Sequence, residues 1–514
     1  MNRPIRQAAV VLVVLGALAL LIAAARLYTY HEPLERDITS AAVIAHEMLG
    51  GRSLYADMWD HKPPAVHVTH AVAILLVGLG PGAVYLINVA AAVTTLLGVY
   101  FAAAAVGGLA GGLWGAAFWT LISGDLWLQA NQPNAEVFIN ACLAWAFALL
   151  VRASGRPPVR RILVVGGLFA LASLYKPVAV APAILLAAAH VIAPPAAWAR
   201  RRAAVDVVII GGVGAVAWVA TLAYFAAVGH FGDFYQAVFA YNQFYSANTA
   251  RGSTSIVTNL ADGFRPDVLF PAVLLNALPL ALLSLAGGAR GAIAGPGRPW
   301  LLLLAYGIGS QLAVALPGQY HPHYYQLWLP ALTIGAGWSV GSFIRMTRIP
   351  GWVPHVAGAA VIVLMLAEQL PLYQVPPEVW SRLKYGELFV REQKLGRELG
   401  ALLGPTETFY EWGAETGLYF ESKHSPPSGA FYVFPLLAGP VARPLASRAV
   451  ADLERHPPMM FVVNRGVLFE GRLRHPVLDW AEPRYVALAG TSDRGTFVLF
   501  VRRGSRLDVS SLAK

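Results

Sequence analysis

The sequence predicts an α-helical multi-pass membrane protein with about 11–13 transmembrane helices and a small C-terminal α/β extracytoplasmic domain. Charged residues make up only 13% of the 514 residues, whereas AVILMFWYC residues make up 57%. A soluble protein carries roughly 25% charged residues. The deficit is uneven, because residues 1–370 and the much shorter 371–514 each hold 33 charged residues. We therefore predict a transmembrane domain over 1–370 and a water-exposed domain over 371–514.

The composition excludes several other classes of protein. Cys142 is the only cysteine, which excludes a disulfide scaffold and a zinc ribbon. The high apolar content excludes a disordered or collagen-like chain. The net charge is +10, but the basic residues do not form a nucleic-acid-binding run, so no nucleic-acid partner is expected.

The first apolar segment, 7–28, follows Arg3 and Arg6 and lacks a clean A-x-A-like cleavage site. Because many apolar segments follow, we interpret it as the first transmembrane helix rather than a signal peptide. Ten further spans are predicted at 83–105, 107–122, 136–152, 162–174, 178–193, 206–228, 267–287, 300–316, 325–343 and 353–370. The shorter segment 65–80 holds His67 and His70, and we predict a helix in the membrane interface there.

The charges of the loops predict the orientation. The N-terminus and the loops 152–161, 200–202, 290–298 and 345–348 hold thirteen of the twenty basic residues in 1–370, and the positive-inside rule makes these loops cytoplasmic. The opposite loops hold twelve of the thirteen acidic residues. An odd number of spans then places the C-terminal domain outside. The Ala-, Gly- and Arg-rich composition favours a bacterial inner (plasma) membrane.

The C-terminal part shows the alternating pattern of a small α/β domain. Helices are predicted at 387–402 and 441–455, and strands at 406–412 and in MMFVVN, YVALAG and TFVLFVRR. The domain contains no Gly-rich phosphate-binding loop. We interpret it as a packing domain or a lid, and we assign it no catalytic residues.

The first outer loop, 29–64, is unusually rich in charges of both signs. Its charged side chains between His31 and His67 are Glu32, Glu35, Asp37, Glu47, Asp57, Asp60, Arg36, Arg52 and Lys62. Residues 39–49 have helical spacing, with Thr39 or Ser40 as the expected N-cap and Asp37 just before the helix. Lys62 precedes two prolines that open the next apolar helix.

Two motifs of this loop, ERD at 35–37 and LYADMWDHKPP at 54–64, resemble the first-loop signature of GT-C glycosyltransferases. The nearest branch contains protein O-mannosyltransferases, lipid A aminoarabinose transferases and lipopolysaccharide-core sugar transferases. These enzymes take a sugar from a polyprenyl-phosphate carrier at the outer face of the membrane. The resemblance extends to the number of spans and the C-terminal outer domain, so it implies a GT-C-like fold.

The resemblance implies a catalytic base at Asp37 and a carrier-phosphate contact at Lys62. The family often has a second acid directly after this aspartate, or an arginine three positions on, where this sequence has Ile38 and Ser40. Either other groups hold the phosphate, with Arg36 predicted as one of them, or the donor is held differently. A single displacement would invert the anomeric centre. If the acceptor were a phosphate, Asp37 would only position it.

Two further residues lie at predicted outer ends of spans. Glu136 follows NQPNA and is similar to the family's second acidic motif, although the helix dipole alone favours an acid there. We predict that it accepts hydrogen bonds from sugar hydroxyls or from Lys176. Lys176, in SLYKP, matches a position where the family often has lysine and is predicted to contact the donor phosphate. The alternative is that Lys176 extends to the interface.

The segment QYHPHYYQ, 319–326, is similar to an H-Y-Y element of the family. His321, His323, Tyr324 and Tyr325 are therefore predicted to bind phosphate or sugar, as is Asp60 of the first loop. Tyrosines also collect at membrane interfaces without a binding role. A metal site at the two histidines is not favoured, and no cofactor is predicted.

The predicted function is transfer of a sugar from a polyprenyl-phosphate carrier to a glycan, lipid or protein hydroxyl. The aromatic run FYQAVFAYNQFYS, within 229–265, predicts an interfacial helix beside the path of the lipid tail or acceptor. A transporter or lipid flippase is the alternative, and a membrane anchor for a binding domain is a third. Transporters place ionisable groups near the bilayer midplane, whereas the polar residues here gather at one face.

Overall fold

The computed structural model describes residues 3–153, 159–196, 198–247, 255–265, 274–293, 297–346, 348–468, 474–488 and 495–508. Contacts between residues divide the chain into two compact units. One, the helix unit, contains Met1–Tyr30, Tyr85–Tyr224 and Ser246–Pro376. The other, the loop–sheet unit, contains His31–Val84, Phe225–Tyr245 and Pro377–Lys514.

The helix unit is built from the apolar segments of the sequence. Its helices, some of which extend a few residues past its limits, are Arg3–Tyr28, Pro81–Ile122, Ala135–Val151, Val159–Tyr175, Pro177–Ala179, Val180–Ile192, Arg200–Ala227, Ile256–Asp262, Leu274–Ile293, Arg298–Ala315, Pro322–Trp328, Leu329–Ile344, Trp352–Gln369 and Leu370–Gln374. Each predicted span overlaps one of them, although residues 267–273 of the 267–287 segment lie outside the described residues.

Length and apolar character identify five of the described helical segments as candidate membrane spans: Ile5–Tyr28, Pro81–Ile122, Arg200–Ala227, Pro322–Ile344 and Trp352–Gln374. Shorter apolar helices are Ala65–Val77, Ala135–Val151, Pro177–Ile192 and Ala277–Ala289. The multi-pass helical architecture is thus confirmed, whereas the count of eleven spans stays a prediction. Pro81–Ile122 is interrupted at Gly108, where φ is 66°, close to the predicted boundary between two spans.

Glycines allow two helices of this unit to approach closely. A Cβ at Gly341 would overlap the backbone of Gly107, and one at Gly337 would overlap the backbone of Gly111. Each helix therefore presents two glycines four residues apart, the small-residue spacing that lets membrane helices pack backbone to backbone. The indole of Trp338, which directly follows Gly337, donates a 2.9 Å hydrogen bond to the backbone carbonyl of Ala102 in the facing helix.

The loop–sheet unit contains the predicted α/β fold. Its strands β1 (Phe409–Trp412), β2 (Met460–Asn464), β3 (Tyr485–Ala487) and β4 (Phe497–Arg502) form a sheet in the order β1-β2-β4-β3. β1 pairs parallel to β2, and β4 pairs antiparallel to β2 and β3. All four predicted strands are confirmed, and so are the helices predicted at 387–402 and 441–455, observed at Leu388–Leu402 and Ala442–Arg455.

The remaining helices of this unit are Arg36–Leu49, Ala65–Val77, Phe231–Tyr235, Gln236–Tyr241, Asn242–Ala247, Pro377–Tyr385, Gly417–Ser422, Phe434–Leu437, Arg465–Leu468 and Pro476–Ala481. The first of them packs against Ala65–Val77 and Gly417–Ser422. Glu32 and Lys384 form a fully buried 2.6 Å ion pair. Most of the first loop, residues 31–64, thus belongs to the same compact unit as the C-terminal segment, and the domain division at residue 370 stays a prediction.

Candidate functional site

Asp37 lies in the first turn of the helix Arg36–Leu49, which begins three residues earlier than predicted. The N-cap is Glu35, whose side chain accepts the backbone N–H of Asp37 at 3.1 Å. Thr39 and Ser40, the predicted caps, instead donate to backbone carbonyls of the preceding turn. The helix dipole favours a negative charge at this end, and the Asp37 side chain is 37% exposed. The carboxylate is therefore accessible.

Lys62 places a cation beside this carboxylate. Its Nζ lies 3.2 Å from Oδ1 of Asp37 and 3.8 Å from Oδ2 of Asp60. Burial lowers the pKa of Lys62, but the two aspartates together raise it above its ordinary value. The hydroxyl of Tyr55 donates to the Lys62 carbonyl at 2.8 Å, which fixes the backbone. The result is a permanent ammonium shared by two carboxylates.

Glu35 contributes no charge to this group at neutral pH. Burial raises its pKa to about 8, and the neighbouring Asp37 carboxylate adds to the shift. A protonated Glu35 still accepts the N–H of Asp37 through its second oxygen. The environment thus separates two adjacent acids into a neutral cap and an open carboxylate, a pattern typical of reactive sites.

Asp60 is enclosed by side chains, with 2% of its own side chain exposed. One carboxylate oxygen accepts the His61 N–H at 2.7 Å and the Tyr432 hydroxyl at 3.4 Å. The other lies 3.2 Å from Nε2 of His67. Burial opposes ionisation, but Lys62 and the two histidines hold the pKa of Asp60 well below its usual value. This aspartate, predicted to bind substrate, is a buried anion.

Arg36 points to residues of the C-terminal segment. Its guanidinium lies 3.7 Å from Oε1 of Glu415 and stands over the rings of Phe389 and Phe434, at 5.9 Å and 5.4 Å from their centroids. The hydroxyl of Thr416 donates to the Arg36 carbonyl at 3.0 Å. About a third of the side chain stays exposed, so a contact to phosphate is compatible with these partners.

Glu415 belongs to a group of buried acids that sequence reasoning missed. Burial and neighbouring carboxylates raise the pKa of Glu392 and of Glu411 well above the usual value, which makes both neutral. Asn464 donates to Glu415 at 2.8 Å. The pairing of Arg36 with Glu415 joins residues nearly four hundred positions apart, and neither spacing nor composition signals such a contact.

A second group of predicted residues meets in the helix unit. Oε1 of Glu136 lies 2.7 Å from Nζ of Lys176, and their side chains are 2% and 21% exposed. The ammonium also stands 3.5 Å from the centroid of the Tyr324 ring. Glu136 lies in the first turn of the helix Ala135–Val151, near the predicted start of this span. Lys176 is thus a partner of Glu136, which was one of the two kinds of hydrogen-bond partner predicted for that acid. Most of the Lys176 side chain is buried.

Aromatic rings surround Tyr324 in this group. The rings of His321 and His323 stack with centroids 5.6 Å apart, and each meets Tyr324 edge-on, at 5.3 Å and 4.8 Å. Nδ1 of His323 lies 3.0 Å from Oε1 of Gln129, a residue that sequence reasoning missed. Tyr325 is buried, and its hydroxyl donates to a backbone carbonyl at 3.0 Å. Its predicted role in binding phosphate or sugar stays a prediction.

Metal ligation requires several donors at one point. Within the part of the chain that the structure describes, no group of three or more His, Cys, Asp or Glu side chains is arranged to hold a metal ion. The prediction of no cofactor remains a prediction.

Comparison with known proteins identifies similar structures. No protein-family model matches the chain. No curated protein sequence matches it. The crystal structure of ArnT from Cupriavidus metallidurans bound to undecaprenyl phosphate is similar over 96% of this chain and 98% of that chain, with a TM-score of 0.62 and 16% identity. The archaeal oligosaccharyltransferase AglB from Archaeoglobus fulgidus, in complex with an inhibitory peptide and a dolichol-phosphate, is similar over 97% of this chain and 74% of that chain (TM-score 0.54, 14% identity). The chain therefore shares the overall fold of these two proteins, and the predicted helical membrane fold with a small α/β part is confirmed.

Proposed function

We propose that the protein is an integral-membrane glycosyltransferase. It moves a sugar from a polyprenyl-phosphate carrier to a hydroxyl of a glycan, lipid or protein at the outer face of a bacterial inner membrane. The observation that carries the proposal is the 3.2 Å pair of an accessible carboxylate, Asp37, and an ammonium, Lys62. The pair lies on a fold shared with ArnT bound to undecaprenyl phosphate and with the oligosaccharyltransferase AglB.

The chemistry of such a transfer needs a base and a phosphate-stabilising cation. The Asp37 carboxylate accepts the proton of the acceptor hydroxyl while its oxygen attacks the anomeric carbon. The bond between that carbon and the carrier phosphate breaks, and its electron pair leaves with the phosphate. Lys62 stabilises the charge that develops there. One displacement inverts the anomeric centre.

The other predicted residues act as binding groups in this proposal. Arg36, which lies in the same unit as Lys62, contacts the carrier phosphate. For the helix unit, a phosphate contact by Lys176 and hydrogen bonds from sugar hydroxyls to Glu136 stay predictions. The ring group of His321, His323 and Tyr324 offers flat faces and ring nitrogens for a sugar. Support comes from the 2.7 Å ion pair, which keeps a charged donor and acceptor together inside an apolar unit.

The experiment is sugar transfer by the purified protein in lipid nanodiscs. A panel of undecaprenyl-phosphate sugars and hydroxyl acceptors is supplied, and both released lipid phosphate and glycosylated product are measured. We expect transfer by the wild type and a loss of about 10²–10⁴-fold in Asp37→Asn. Asp57→Asn is the matched control, because Asp57 is an exposed carboxylate of the same loop.

Two outcomes would overturn the proposal. One is a folded wild-type protein that releases no lipid phosphate with any donor, and the other is wild-type turnover in Asp37→Asn. Translocation of a lipid-linked sugar across proteoliposomes without transfer would support the flippase alternative instead.

A further inference from the structure

Lys62 has two anionic neighbours that differ in accessibility. The Asp37 carboxylate is more than one-third exposed, whereas the Asp60 carboxylate is almost fully enclosed. Their distances to Nζ are 3.2 Å and 3.8 Å, so both carboxylates lie within ion-pair distance of the ammonium. An acceptor hydroxyl can reach only the first of them. The second must act on the reaction through Lys62.

The enclosed carboxylate is itself fixed in position. It is contacted by Nε2 of His67, by the backbone N–H of His61 and by the hydroxyl of Tyr432. The last of these belongs to the C-terminal segment. Asp60 therefore offers the ammonium a stationary negative charge, whereas Asp37 keeps a face open to solvent.

The backbone around Lys62 is fixed as well. Nδ2 of Asn242 donates to the His61 carbonyl at 2.7 Å, and the Tyr55 hydroxyl donates to the Lys62 carbonyl. Asn242 directly follows the π-helix Gln236–Tyr241, a rare conformation that is frequently found at functional sites. Side chain and main chain are thus held by separate partners, and the position of the ammonium is strongly determined.

We infer that Asp60 is a positioning residue that acts through Lys62: its buried carboxylate holds the ammonium between itself and Asp37 and shares its charge. This inference rests on the proposed function. With the charge shared, Asp37 stays basic enough to take the proton of the acceptor. The phosphate that is released is also repelled by Asp60 and can leave.

Asp60→Asn tests this inference, because it removes one negative charge with little change in shape. The whole Lys62 charge then acts on Asp37, which becomes a weaker base, and kcat falls about 10–100-fold. The same change removes a repulsion, so undecaprenyl phosphate binds about 3–10-fold more tightly. A general structural defect would weaken turnover and binding together, whereas here they move in opposite directions.

The measurements are kcat for transfer and the Kd of undecaprenyl phosphate in nanodiscs. Asp57→Asn, three residues away, removes an exposed charge of the same loop and serves as the matched control. In a Lys62→Met background, Asp60→Asn is expected to cause no additional loss of kcat, because the residue through which it acts is gone. Asp60→Ser replaces Asp60→Asn if the latter does not fold.

The outcomes separate the two proposals. If the wild type transfers sugar and Asp37→Asn does not, but Asp60→Asn behaves as the wild type or binds lipid phosphate more weakly, only the inference about Asp60 is overturned. A loss of kcat that is the same with and without Lys62 would also overturn it. A folded wild-type protein that neither transfers sugar nor binds undecaprenyl phosphate overturns the proposed function, and the inference with it.

Discussion

The pair of Glu136 and Lys176 predicts an asymmetric response to substitution. Lys176→Met leaves the Glu136 carboxylate, 2% exposed, without its cation, and removal of one partner of a buried pair costs about 3–5 kcal/mol of unfolding free energy. Glu136→Gln leaves a lysine that is 21% exposed and stands over the Tyr324 ring, so we expect a cost of about 1 kcal/mol, as for one hydrogen bond.

The double variant Glu136→Gln/Lys176→Met contains no isolated charge and should lose less stability than Lys176→Met alone. Denaturant unfolding of the purified protein in mild detergent, followed by tryptophan fluorescence, measures all three. Arg506→Met is the control, because the Arg506–Glu407 pair lies at the surface and no measurable change is expected. Equal costs for both single variants, or strictly additive costs, would refute the reasoning and favour a lysine that extends to the interface.

Three other predictions concern the pH dependence of stability, the packing of two helices and the orientation of the chain in the membrane. The pKa of Glu35 is about 8 in the folded protein and 4.5 in the unfolded chain, so between these pH values the folded state binds an extra proton. The free energy of unfolding therefore falls as the pH rises through this range. Thermal unfolding at a series of pH values should show a smaller decrease of the unfolding temperature in Glu35→Gln. Gly341→Ala forces two helix backbones apart and should lower the unfolding temperature by several degrees, whereas Gly167→Ala, with open space around it, should not. In a Cys142→Ala background, Glu454→Cys should react with a membrane-impermeant maleimide in intact cells; labelling only after permeabilisation would contradict the predicted orientation.

Most helices and strands could be predicted from local sequence patterns. Long apolar runs located the helices, and short apolar segments located the strands of the sheet, because both signals depend on neighbours within one element. The first-loop helix begins earlier than predicted, since the Glu35 side chain caps it and glutamate is an uncommon N-cap. The spacing of the apolar residues gave no sign of this.

Contacts between distant residues account for the rest of the site. Asp37 and Lys62 were predicted from one loop, and the structure brings them together. The environment of Asp60 depends on His67 and Tyr432, and that of Arg36 on Glu415. Such pairs are set by how the elements pack, which a single sequence does not encode in any local period.

The first loop and the C-terminal segment share one compact unit, and this has a consequence for biosynthesis. The hydroxyls of Thr39 and Thr416 meet at 2.8 Å across 377 positions of sequence. At about 5–20 residues per second, the ribosome reaches the second threonine about 20–75 s after the first. Asp37 therefore leaves the ribosome long before the C-terminal residues of its unit are synthesised. Until then, the charged side chains of the loop that are buried in the folded protein stay solvated. A polypeptide released early, even one with every apolar helix inserted, would contain Asp37 but not the C-terminal residues that lie in the same compact unit.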